Sequence, residues 1–224
     1  MGAQKQNGFG TFGGPDVAAT LAAAARYALN SVWYQKWWIH LRHRPESGGA
    51  IVRQILSGFG GTLDGHVNDN VLNSQAVQSS FNKYGDYFLS QSFPEGSPTH
   101  PSYPTGHGVV AGACITVLKS FFDGNFVIPN PLVATNDGLS LVPYTGGDAG
   151  QLTVNGELNK LANSVSFGHG ILAGIHWRTD TSASIQLGEA VTISMLQDRA
   201  PTYAEKFTVN LTKIDGWTAT ISNQ

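Results

Sequence analysis

The segment Gly106 to Phe122, "GHGVVAGACITVLKSFF", constrains the fold of this chain more than any other stretch. Its apolar side chains fall on nearly every face of a 3.6-residue helix, so the helix has to be buried, and other elements must surround it. The neighbouring sequence says which. "GGPDVAATLAAAARYALNSVWYQKWWIHLRHRP" places Pro15 and Asp16 in a first turn ahead of an alanine-rich body. It predicts one long helix over 14–45, with Pro45 as its stop. Helical patterns recur from Val154 to Ala173 and from about Asp180 to Arg199, with shorter ones over Ala50–Leu56 and Val71–Ser90. The tail over 205–222 alternates residue types around Asp215-Gly216, a hairpin signal. The expectation is a mainly α fold: a single-domain helical bundle over 1–224 with a small C-terminal β-hairpin, without internal repeats.

Two stretches read as loops. Between Gln91 and Thr105, prolines at 94, 98, 101 and 104 forbid regular structure, because each fixes φ and biases its predecessor away from helix. Such a loop has to be ordered by its contacts. The second runs from Asp123 to Gly150 and carries "PNP", "NDG" and "TGGD".

Composition narrows the partners. The net charge is -2 and no lysine or arginine run extends beyond "HLRHR", which argues against a nucleic-acid surface. Only 12% of the residues are charged while 27 are glycine, so much of the surface is neutral and small, as expected of a homo-oligomer or of a chain covered by a further N-terminal half. Cys114 is the single cysteine and reads as a buried apolar residue. No apolar run is long enough for a membrane span, and "MGAQKQNGFGTFGGP" lacks a secretory layout. The chain reads as soluble, with its compartment open.

Three clusters can carry chemistry. Lys36 and Arg44 lie eight residues apart at a predicted helix end, where two cations could neutralise a tetrahedral oxyanion or simply be solvated. "PTGH", residues 104–107, puts a hydroxyl, a glycine and an imidazole at a helix N-terminus, where free N–H groups attract anions; Thr105 fits an ordinary N-cap equally well. In "GIHWRTD", Asp180 follows His176 by four residues and could orient it for metal ligation, for attack on phosphorus, or for a purely structural role.

Together these blocks resemble the vanadium-dependent haloperoxidases, which share a helical core with type 2 phosphatidic acid phosphatases and bacterial class A acid phosphatases. Lys36, Arg44 and Pro45 match the family's first block, Pro104 to His107 match its second with threonine for serine, and His176 and Asp180 match the end of its third. "VWYQKW", "RHRPE", "THPSYPTGHG", "GELNKLAN" and "GIHWR" are similar to the bromoperoxidases of red algae and their cyanobacterial relatives, and His100 fits the second active-site histidine of that branch. One position departs: the third block's arginine is replaced by Gly170, with His169 the nearest polar neighbour. Algal subunits of this family are also much longer, and the resemblance is to their C-terminal part.

The resemblance implies a vanadate cofactor with its vanadium bonded to His176. Lys36, Arg44, Thr105 and Gly106 would hold its oxygens, and His107 would manage a proton. Catalytic roles fall to His107, His176, Lys36 and His100, with Asp180, Trp33 and His169 in support. Hydrogen peroxide and bromide or iodide would be the substrates and hypohalous acid the product. Phosphate can substitute for vanadate in such a pocket, so the alternatives are an acid phosphatase and an inactive assembly subunit lacking the third-motif arginine.

Overall fold

The computed structural model describes residues 4–224 and is mainly helical; the Met-Gly start lies outside the described residues. The helices are α1 (Gly14–Tyr34), α2 (Pro45–Leu56), α3 (Asp69–Leu72), α4 (Gln75–Tyr84), α5 (Gly106–Phe121), α6 (Val154–Asn163) and α7 (Arg178–Arg199). Two antiparallel hairpins complete it: β1 (Leu132–Ala134) with β2 (Leu141–Pro143), and β3 (Thr208–Thr212) with β4 (Thr218–Ser222). No helix among the described residues is long and apolar enough to cross a membrane.

As its sequence demands, α5 is the central element. Ala24, Ala28 and Val32 of α1 face Val109, Ala113 and Val117 of α5, and all six are fully buried. Each triplet repeats at four-residue spacing, so each forms one stripe. Against its other side α7 approaches closely enough that glycine is required on both helices. A Cβ at Gly112 would stand 2.1 Å from the Ile185 carbonyl oxygen, and one at Gly188 would stand 2.0 Å from that of Val109. Because the obstacle is backbone, the helices themselves must separate to admit a methyl group. Gly188→Ala is therefore expected to destabilise the protein by about 1–3 kcal/mol, measured as a lowered urea midpoint at unchanged slope; a midpoint matching the wild type would refute the close crossing.

Several boundaries differ from the sequence expectation. The long helix does not run to Pro45. It widens into a π-helical turn over Gln35–His40, where the Leu41 N–H reaches back to the Lys36 carbonyl at 3.1 Å, and it stops at Leu41, whose φ is +46°. Pro45 is instead the first residue of α2, a position where its missing N–H and fixed φ cost nothing. The helix expected over 71–90 is split into α3 and α4, and Gly85 ends it in the left-handed region. The stretch 123–150 contains the β1–β2 hairpin, turned at Asn136-Asp137-Gly138 with Gly138 at φ +72°. The helix over 154–173 becomes α6 followed by a second π-helical segment, Ser164–Leu172. The C-terminal hairpin forms where the alternation places it.

α5 is less uniformly apolar than it reads. Lys119 is buried, its Nζ donating to the Thr212 carbonyl at 3.0 Å, while buried Glu189 of α7 accepts from the Ile214 N–H at 2.8 Å. These two charges lock the β3–β4 connection onto the bundle. Near the N-terminus, buried Asp16 accepts from Arg199 at 2.6 Å, from the Tyr203 hydroxyl at 3.1 Å and from the Phe12 N–H at 3.0 Å, tying the first helix to the end of α7.

Candidate functional site

The proline-rich loop is ordered by contacts to both neighbouring motifs. The Ser97 N–H donates to Glu46 on α2 at 2.7 Å, the Ser102 N–H to the Arg42 carbonyl at 2.8 Å, and the Ser92 N–H to the Ala173 carbonyl at 3.1 Å. The loop thus lies between the connector after α1 and the start of α7, and it brings His100, Ser102 and Thr105 between them. Trp177 joins the outer two motifs directly, its indole donating to the His43 carbonyl at 2.9 Å while its ring packs edge-on against His43.

His176 sits at the centre of the assembly, 6% exposed. Its Nδ1 faces Asp180 Oδ2 at 3.1 Å, and its Nε2 faces Arg44 Nη1 at 3.0 Å. An arginine can only donate, so Nε2 must be the lone-pair nitrogen and Nδ1 must carry the hydrogen. Burial lowers the His176 pKa, with the hydrogen bond it donates to Asp180 opposing and the charges on Arg44 and Lys36 reinforcing. The residue is therefore a neutral imidazole with its lone-pair nitrogen aimed at Arg44, and its contact with Asp180 is a hydrogen bond more than an ion pair.

Asp180 is fully buried and accepts from four sources: His176, the Trp177 N–H at 2.9 Å, the Ser102 hydroxyl, and Arg42 Nη1 at 2.8 Å. Burial alone would raise its carboxyl pKa; the hydrogen bonds outweigh it and hold the group at about 2. Sequence reasoning missed both Ser102 and Arg42. The visible trace of Arg42 was its place two residues before Arg44; Ser102 lies unmarked between two prolines.

Arg44 is buried where it caps α2. Its Nε donates to the His100 carbonyl at 3.0 Å, its Nη1 also to the Ile175 carbonyl at 2.9 Å, and its Nη2 to His100 Nδ1 at 3.1 Å. Burial lowers its pKa to about 10, which leaves it charged near neutrality. Lys36, 1% exposed within the first π-helical turn, donates to the Pro101 carbonyl at 2.5 Å and the Ser102 carbonyl at 3.3 Å. Burial, then repulsion from Arg44, brings its pKa down to about 7. Burial and the same two cations lower His100 to about 4, so it is neutral, with Trp33 edge-on to it at 5.0 Å.

These residues open onto a cavity of about 570 Å³, bordered by Trp33, Lys36, Arg44, His100 and His176 on one side and by Gly106, His107 and His169 on the other. Thr105 stands just behind it, 1% exposed at the N-cap of α5, its own N–H donating to Ser184 Oγ at 2.7 Å. His107 and His169 stack with ring centroids 3.8 Å apart, and burial followed by the charge on His169 lowers the pKa of His107. Arg178 points elsewhere, over the Phe167 ring.

Gly170 is buried against the histidine. A Cβ there would stand 3.1 Å from His176 Cβ and 3.1 Å from Thr181 Cγ2, and the Gly170 carbonyl accepts from the N–H groups of both Ile175 and His176. A side chain at this position would thus start directly beside His176. The backbone here holds that histidine in place without one.

An imidazole lone pair that accepts from Arg44, with Lys36 as a second buried cation on the same cavity, fits a tetrahedral oxyanion: the cations match its charge, and once Arg44 turns to the anion the nitrogen can bond its central atom. Because Lys36 titrates near 7 in the free protein, an anion that stabilises its charged form must draw in a proton above that pH. Sulfate, which carries two charges throughout the range, is expected to bind at pH 8 with net proton uptake and to weaken as pH rises, by at most about tenfold per unit. Calorimetry in buffers of different ionisation enthalpy measures the uptake; a binding heat independent of the buffer would contradict it.

Comparison with known proteins identifies the family. The family model of the VCPO second helical-bundle domain matches residues 16–203. The chain belongs to this family. A vanadium-dependent bromoperoxidase of Corallina officinalis is 39% identical over 232 residues, covering 96% of this chain and 38% of that protein. One from Ascophyllum nodosum is 39% identical over 198 residues, covering 84% of this chain and 35% of its own length. The homohexameric structure of the second vanadate-dependent bromoperoxidase of Ascophyllum nodosum superposes with a TM-score of 0.82 at 26% identity, over 98% of this chain and 42% of that one. The chain thus spans well under half the length of these relatives.

Proposed function

We propose that the chain carries the catalytic site of a vanadate-dependent haloperoxidase, which oxidises bromide or iodide with hydrogen peroxide to hypohalous acid. The observation that carries this reading is His176, held neutral between Asp180 and Arg44, with its Nε2 facing Arg44 on a cavity that Lys36 also lines. His176 Nε2 would ligate the vanadium, and Lys36, Arg44 and the amide end of α5 would hold the oxygens, with Thr105 behind them. Bound vanadate supplies a Lewis acid that activates peroxide without changing oxidation state.

The remaining residues divide the work of orientation and proton transfer. Asp180 keeps the hydrogen on His176 Nδ1, so the ligating lone pair always faces the anion. Arg44 and Lys36 concentrate positive charge where anionic substrates have to arrive. His107, at the open side with its pKa lowered, accepts or returns a proton at the oxygen that faces the cavity. His100, neutral beside Trp33, bounds the approach of the halide. Homo-oligomeric assembly is part of this proposal, supported by the hexameric relative.

The test is direct. The purified chain is loaded with orthovanadate and assayed for bromide-dependent halogenation with peroxide and, separately, for hydrolysis of a phosphomonoester. Halogenation that requires vanadate is the expected result. Vanadate-sensitive hydrolysis without halogenation would move the assignment to a phosphatase, and the absence of both activities would remove the enzymatic reading for this chain.

A further inference from the structure

The two walls of the cavity differ in their donors. Lys36 and Arg44 stand on one of them beside His100 and His176, and among the described residues no other lysine or arginine borders the space. Arg42 is taken by Asp180 and Thr179, and Arg178 lies over the Phe167 ring. A tetrahedral oxyanion presents oxygens in every direction, so two cations on one wall leave the oxygens on the far side to be met by something else.

His169 is the side chain placed to meet them. It lies in the π-helical segment Ser164–Leu172, after which the N–H groups of Ile175 and His176 both reach back to the Gly170 carbonyl. π-Helical turns are rare and cluster at functional sites. This one buries Gly170 against His176 and leaves His169 bordering the cavity. Aromatic contacts hold the His169 ring: it stacks on His107 with centroids 3.8 Å apart and planes 26° from parallel, and Phe93 lies tilted against it at 5.9 Å. Among the described residues no hydrogen bond occupies its nitrogens, whereas His176 has both of its own engaged.

We propose that His169 is a direct ligand of the oxyanion, donating a ring N–H to an oxygen turned away from Lys36 and Arg44. The inference rests on the anion pocket of the proposed function and gives that pocket a further binding residue. An imidazole carries at least one N–H donor in either protonation state. A ring already stacked is fixed in orientation, so little freedom is lost when the bond forms. The stack also divides the work of the pair. Burial and then the charge on His169 lower the pKa of His107, which keeps His107 the neutral, proton-accepting member. One ring binds while its neighbour is left to move the proton.

Calorimetric titration of the vanadate-free chain with sulfate and with orthovanadate tests this in His169→Phe and His169→Arg. Phenylalanine keeps a ring stacked on His107 and removes the donor; arginine returns a donor on the same backbone. His169→Phe is expected to bind both anions about tenfold more weakly or worse at an unchanged thermal midpoint, the loss that follows from one hydrogen bond to a charged partner. His169→Arg should recover part of it. In histidine-labelled protein the ring-nitrogen NMR signals of His169, identified by their absence from His169→Phe, should shift as sulfate saturates the site. Wild-type affinity in His169→Phe overturns the inference, and so do ring-nitrogen signals that stay fixed through saturation, whatever affinities the variants show. Weak binding by both variants with shifting signals still supports it, since an arginine that does not fit this wall cannot donate from it. A wild type that binds neither anion overturns it together with the pocket. Vanadate binding that depends on His169 but yields no halogenation would leave this ligand standing and remove the haloperoxidase reading. Halogenation in wild type, with His169→Phe binding vanadate equally well, would do the reverse.

Discussion

His176→Ala is expected to reduce vanadate-dependent halogenation by about 10³-fold or more, the scale reached when a group bonded to the reacting centre is removed. The reason lies in what remains. Lys36 and Arg44 keep their carbonyl anchors at Pro101, Ser102, His100 and Ile175, so the cationic floor survives and still attracts anions. What disappears is the single lone pair that can bond the central atom. Sulfate affinity should therefore fall by less than about tenfold, while vanadate affinity and activity collapse together. Imidazole added to the variant should restore part of the activity, because the deletion leaves a ring-sized space opening onto the cavity. A variant that halogenates at the wild-type rate would show that vanadium is held elsewhere, and sulfate binding lost as completely as vanadate binding would show that the cations depend on the ring for their placement.

How far the sequence reached can be judged residue by residue. α5 declared itself because a helix apolar on nearly every face has only one stable place in a small domain, and α1 and α7 supply the matching stripes. Lys36, Arg44, His107 and His176 were visible because their three blocks, each ambiguous alone, stand in an order and spacing that resemble one family, and the cavity brings them together. Residues whose roles depend on three-dimensional partners were not visible. Nothing in "HLRHR" marks Arg42 as the residue that reaches Asp180 across 138 positions, and nothing in "HPSYP" marks Ser102 as a donor to the same carboxylate. Pro45 could be misread because proline both ends one helix and starts the next; only the left-handed Leu41 shows that the chain turns before it. The two π-helical segments, Gln35–His40 and Ser164–Leu172, also escaped periodicity, since each is too short for a period of its own to show, yet they carry Lys36 and His169.

Asp180→Ala should be the most damaging single change to stability near the site, at about 3–5 kcal/mol. Asp180 is fully buried and receives hydrogen bonds from His176, Ser102, Arg42 and the Trp177 backbone, so its removal strands several donors at once. Arg42, 40% exposed, can turn to water, whereas His176 and Ser102 cannot. Asn in place of Asp preserves shape and accepts fewer of these bonds, so Asp180→Asn should cost less. The difference between wild type and either variant carries a pH signature whose sign follows from the carboxyl. Its pKa is about 2 when folded against an ordinary 3.8, so the unfolded chain binds the proton first and acid favours unfolding. The stabilisation from this group, on the order of 2 kcal/mol, is complete above about pH 4 and is lost as pH falls toward 2. Urea titrations of wild type and Asp180→Asn should thus converge over that window; parallel curves across it would mean that the carboxylate is not held by this network. Above it, the same variant should bind vanadate about 10–100-fold more weakly, because a neutral amide at Nδ1 no longer raises the basicity of the ligating nitrogen.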